Sequence, residues 1–138
     1  MTPEEEKRCL ISPDADATAP QRARAMVVRA LAGWGFAGMA DDAALCVSEL
    51  VTNALNEAPT KMTVRVEWHP ADHLIELAVW DDAPGKPERR APTVNDAGGR
   101  GLNIVEALAV DWGHYPEGGG KTVWVWFHAT SEGTSDAA

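Results

Sequence analysis

Residues 41–59 read Asp41-Asp42-Ala43-Ala44-Leu45-Cys46-Val47-Ser48-Glu49-Leu50-Val51-Thr52-Asn53-Ala54-Leu55-Asn56-Glu57-Ala58-Pro59. The spacing predicts a helix from Asp42 to Ala58, capped by Asp41 and stopped by Pro59. At about 100° per residue, Ala44, Val47, Val51, Ala54, Leu55 and Ala58 fall on one apolar stripe suited to packing on a sheet. Glu49 and Asn53, four residues apart, share another face. Cys46 and Leu50 adjoin this pair, a poor composition for a purely wet surface, and Asn is a weak former of helix interiors. The pair is therefore expected to line a pocket. The Asn53 amide oxygen suits a hard cation such as Mg²⁺, which takes few protein ligands. Glu49, one turn earlier, is placed to orient a water or accept a proton.

Outward from this helix, the flanking pattern sets the fold class. Ala23, Met26, Val27, Ala30 and Leu31 recur at helical spacing over 20–32, ended by Gly33 and Gly35. Cys9-Leu10-Ile11 reads as a short first strand. Met62 to Trp68 alternates like a half-buried strand, and Leu74 to Trp80 forms the next one after a turn. Residues 81–101 lack periodicity, the mark of a binding loop or lid. A short helix is expected over Leu102–Leu108. Strands are expected over Asp111–Tyr115 and Thr122–Phe127, joined by a turn at Pro116-Glu117-Gly118-Gly119-Gly120. The predicted fold is an α+β two-layer sandwich: a mixed, mainly antiparallel sheet covered on one face by helices. One domain over 9–128 is expected, with loose polar ends at 1–8 and 129–138.

Composition narrows the function. The chain has 138 residues and a formal net charge of −9. So acidic a surface repels phosphate backbones, which argues against nucleic acid and anionic membrane as partners. It does not argue against a nucleotide, whose phosphates a local cluster of backbone N–H groups and one metal ion can offset. Cys9 and Cys46 make neither a metal pattern nor a disulfide framework. The acidic start, Met1 to Glu6, is unlike a signal peptide, and no long apolar run follows, so the expected location is cytoplasmic.

Two further segments carry chemistry. Val79-Trp80-Asp81-Asp82-Ala83-Pro84-Gly85 puts a carboxylate at the end of an apolar strand, where it can accept a hydrogen bond from an exocyclic amine such as that of adenine. Ordinary turn chemistry is the alternative. Gly98-Gly99-Arg100-Gly101-Leu102 lets backbone approach a ligand just where a helix begins, although a simple hinge would use the same glycines. Gly118-Gly119-Gly120-Lys121-Thr122 is not a phosphate-binding P-loop. Tyr115 stands where the required earlier glycine belongs, and a strand follows instead of a helix.

Taken in order, these pieces resemble the Bergerat-fold ATPases, which include histidine kinases and anti-sigma-factor serine kinases. The likeness is strongest to single-domain histidine-kinase-like ATPases of actinobacteria. It rests on Glu49-Leu50-Val51-Thr52-Asn53-Ala54, Asp81, Gly99-Arg100-Gly101-Leu102 and Gly120-Lys121-Thr122-Val123-Trp124, and spans residues 9–128. It implies that Asn53 holds Mg²⁺ on the phosphates of ATP, that Glu49 is the general base, and that Asp81 binds the adenine amine. It further implies that Gly85, Gly99, Arg100, Gly101 and Leu102 shape the lid and phosphate pocket, with Thr122 lining the adenine side. The implied activity is phosphorylation of a serine on an anti-anti-sigma-type protein, with sequestration of a sigma factor and room for a homodimer. Ala83 stands where the wider superfamily has a glycine, and Asn56-Glu57 where relatives are usually basic. The second departure motivates an alternative, a non-catalytic protein-binding module with a degraded nucleotide site. A free-standing ATPase is a third reading.

Overall fold

The computed structural model describes residues 5–83 and 109–129. Among these residues five strands form one sheet: β1 (Lys7–Ile11), β2 (Met62–His69), β3 (Leu74–Asp81), β4 (Ala109–Glu117) and β5 (Gly120–His128). Their order is β1-β2-β3-β5-β4, and all four pairings are antiparallel. With helices α1 (Ala19–Gly33) and α2 (Ala40–Leu55), the described residues have the α+β architecture expected from the sequence. No helix among the described residues is long and apolar enough to cross a membrane. The expected helix at 102–108, the loop with its glycine corner, and the polar tail lie outside the described residues.

Strand alternation decides which side chains meet the helices. Val64, Val66 and Trp68 of β2 stand opposite Val79, Leu77 and Ile75 of β3, and the row continues into Val125 and Phe127 of β5. Each of these residues is at most 3% exposed. Against them pack Met26, Val27 and Leu31 of α1 with Val47, Leu50 and Val51 of α2. Burying one such side chain contributes about 1.5–3 kcal/mol, so this layer is the main source of stability. The alternate residues form the opposite face of the sheet, where Trp80, Trp124, Trp126 and Tyr115 stand beside Arg65, Glu67, His69 and Glu76.

The boundaries of α1 agree with the expected 20–32 to one residue at each end, whereas those of α2 moved where local chemistry outweighed periodicity. α1 closes with the hydrogen bonds Phe36 N–H to Leu31 O (2.8 Å) and Gly35 N–H to Ala32 O (3.3 Å), with Gly35 at φ +94°. This paired C-terminal closure needs a left-handed residue, and glycine supplies it without a Cβ penalty. Phe36 then packs on Trp68, ring centroids 4.7 Å apart.

α2 begins at Ala40, fed by a short 3₁₀ turn over Ala37–Met39, so Asp41 is not its cap. Asp41 and Asp42 lie inside the first turn, where negative charge complements the helix dipole. The helix ends at Leu55 instead of Ala58, because Ala58 precedes Pro59 and cannot readily stay helical. Ala58 is exposed at φ +56°, so it leaves the apolar stripe predicted for it. Within α2 the buried face extends beyond the predicted stripe to Ala43, Ser48 and Leu50, and Cys46 is buried as its apolar setting suggests.

Candidate functional site

Glu49 and Asn53 project one turn apart from α2, flanked by the buried Cys46 and Leu50. Glu49 is half-buried and Asn53 exposed. Burial raises the Glu49 carboxyl above its usual range, an effect partly offset by the positive charge of Arg24 on α1. A carboxylate poised in this way accepts a proton more readily near neutral pH than a fully solvated one. Burial, aided by the negative Glu49, also pushes the Cys46 thiol up to about 12, so Cys46 is an inert packing residue. A groove of about 720 Å³ between α1 and α2 is lined by Arg24, Val28, Ala44 and Leu45 among others, but by neither Glu49 nor Asn53.

Asp81 ends β3 with 1% of its surface exposed. It shares its side of the sheet with its register partners Met62 and Lys121, which is the side that α2 covers. Its Oδ1 accepts hydrogen bonds from Lys121 Nζ and from the Ala83 N–H, each at 2.9 Å. A buried carboxylate needs such partners, because leaving the charge unpaired costs several kcal/mol. The next residue, Asp82, turns outward and ties the end of β3 to the start of β2. It accepts hydrogen bonds from the Thr60 hydroxyl and from the N–H groups of Thr60 and Lys61.

The close approach at this corner explains a glycine. A Cβ on Gly120 would lie 1.9 Å from the Asp81 carbonyl oxygen, so only glycine allows β5 to pair here. The turn itself is shorter than the expected five residues. Gly118 and Gly119, at φ +59° and +80°, form a two-residue hairpin loop whose twist matches the strands.

Of the residues expected in the site, the fold puts Asp81 on the side of the sheet that bears α2, and with it Glu49 and Asn53. Thr122 stands apart. It pairs with Trp80 and Tyr115 on the opposite face, and its buried hydroxyl donates to Glu117 Oε1 at 2.6 Å. The residue beside Asp81 is Lys121, which sequence reasoning missed. The signal was available: Val123, Val125 and Phe127 mark the inner face of β5, and Lys121 is two residues before Val123. Gly85, Gly99, Arg100, Gly101 and Leu102 lie outside the described residues.

Residues 12–127 match the family described as histidine kinase-like ATPase domain. The chain belongs to that family. Among solved structures it is similar to the RsbU and RsbW domains of Rv1364c from Mycobacterium tuberculosis, at 21% identity and a TM-score of 0.64. That likeness takes in 89% of this chain and 32% of the other, and at this identity it speaks for the fold alone. No curated protein matches the chain.

Proposed function

We propose that this histidine-kinase-like domain binds ATP with Mg²⁺ and acts as a serine-protein kinase and anti-sigma factor toward an anti-anti-sigma-type partner. The observation that carries the reading is the pairing of Glu49 and Asn53 on one turn of α2, on the same side of the sheet as the buried carboxylate of Asp81. These residues fit the nucleotide by their chemistry. Asn53 supplies a neutral amide oxygen at the surface, where a hydrated magnesium ion keeps most of its waters. Asp81 supplies an acceptor in a water-poor corner, where a hydrogen bond to a base amine discriminates well.

When bound, the magnesium nucleotide would supply the transferable phosphoryl group. The chain's own part is to position and to move a proton. Burial keeps Glu49 basic enough to accept a hydroxyl proton from an acceptor serine. Lys121 donates to Asp81 and fixes its orientation, and Gly120 lets that corner close. Supporting the partner class is only the resemblance to anti-sigma-factor kinases and the RsbW-containing neighbour in fold.

The test is transfer of labelled γ-phosphate to serine on a candidate anti-anti-sigma-type protein. Labelled serine with the wild-type chain, lost in Glu49→Gln, supports the kinase. The exposed Glu57, at the end of α2, favours a second reading, because its charge would oppose a triphosphate. Under that reading nucleotide binds without transfer to any partner, and the protein acts by docking alone.

A further inference from the structure

On the sheet face turned away from the helices, Glu67 of β2 and Glu76 of β3 stand directly opposite each other. Like charges so placed destabilise a sheet unless something positive sits between them. His69, two residues along β2 on the same face, directs Nε2 at both. It lies 3.2 Å from Glu67 Oε1 and 3.1 Å from Glu76 Oε1. The three side chains are largely withdrawn from solvent, at 16%, 12% and 23% exposure.

We propose that His69 Nε2, Glu67 Oε1 and Glu76 Oε1 form a binding site for a divalent transition-metal ion of the zinc type. Two observations support it beyond the residue types. Metal–ligand bonds of about 2.0–2.1 Å in a tetrahedron put neighbouring ligand atoms about 3.3 Å apart, close to the two separations seen. The outer atoms are also already engaged. Glu6 Oε2 lies 3.2 Å from His69 Nδ1, the carboxylate–imidazole contact that commonly orients a metal-bound histidine. Arg65 reaches the other oxygens, with Nε 3.2 Å from Glu67 Oε2 and Nη2 3.5 Å from Glu76 Oε2. Each carboxylate is thus held by its far oxygen while its near oxygen faces the imidazole.

The field calls for one more cation at Nε2, because Glu6, Glu67 and Glu76 bring three negative charges against the two guanidiniums of Arg65 and Arg8, and a metal ion there takes the place of the imidazole proton. The ligands sit on two paired strands, so little entropy is lost on binding, and a fourth position is left for water. The site is on the opposite face from Asp81, and the inference rests on no part of the nucleotide reading.

The test is competition for zinc chloride between the full chain and a chromogenic chelator, with the His69 ring nitrogens followed by NMR. One zinc per chain, a shift confined to the Nε2 signal, and about tenfold to hundredfold weaker binding in Glu6→Gln would support the site. His69→Gln should abolish stoichiometric binding. Glu76→Gln serves as a second variant, and circular dichroism checks that both remain folded. Absence of zinc binding in the wild type overturns the proposal. So does binding that His69→Gln leaves unchanged, which would place the metal on the cysteines or other histidines.

Discussion

Asp81 and Lys121 form a buried ion pair, 1% and 8% exposed at their side chains, at the corner where β3 and β5 begin to separate. Such pairs add little over apolar residues, yet breaking one is expensive because the surviving charge stays buried. Lys121→Met should therefore cost about 3–5 kcal/mol in urea unfolding. The double variant Asp81→Asn with Lys121→Met should recover much of that loss, and equal losses in the single and double variants would contradict the account. Asp82 makes a different prediction. The Thr60 hydroxyl, then the N–H groups of Lys61 and Thr60, hold its carboxyl below the usual range. A lowered folded-state value stabilises above the unfolded pKa of about 3.9, and the benefit is lost as pH falls through the folded value. The stability gap between wild type and Asp82→Asn should thus be full near neutrality and shrink in acid. A gap independent of pH would show that the carboxylate is not the cause.

At the scale of elements, two backbone positions invite substitution. Ala58 sits at φ +56°, a conformation that costs an L-residue about 1–2 kcal/mol. Ala58→Gly should raise the unfolding free energy by up to about 1 kcal/mol once the extra freedom of the unfolded glycine is subtracted, read as a higher denaturation midpoint. Gly120→Ala is the converse. Its Cβ would collide with the Asp81 carbonyl, so the strand ends must part, at about 1–3 kcal/mol or more, and the amide protons of Asp81 and Lys121 should exchange faster. These elements also show how far the sequence can be read. Strict alternation over 62–68 located β2, and the apolar run over 74–80 after the turn located β3, each to within one residue. The 3.6-residue period found both helices, α1 to within one residue at each end, but not the ends of α2. The start of α2 depends on a preceding 3₁₀ turn, and its stop on the backbone restriction imposed before Pro59. Asp81 was legible as a carboxylate closing an apolar strand. Its partner Lys121 is less legible, because the neighbouring Thr122 offers a hydroxyl of equal chemical promise and only the alternation of β5 separates their faces. The Glu67–His69–Glu76 cluster needed the cross-strand register, which no single strand reveals.

Among the described residues, a layer of helices packs on one face of the sheet around a shared core, and the proposed nucleotide site takes Glu49 and Asn53 from α2 and Asp81 from the end of β3. The net charge of −9 makes the binding of a polyphosphate depend on local compensation. Metal-dependent affinity is therefore the expected signature, with little binding in its absence. The most direct measurement is calorimetric titration of the full chain with ATP, with and without Mg²⁺, alongside Asn53→Ala and Asp81→Asn. The account predicts saturable binding of ATP with magnesium, sharply weakened by chelation and by Asn53→Ala. It also predicts loss of preference for adenine over other bases in Asp81→Asn, with each variant still folded. Absence of binding at about millimolar nucleotide, or binding indifferent to magnesium and to both substitutions, would contradict it.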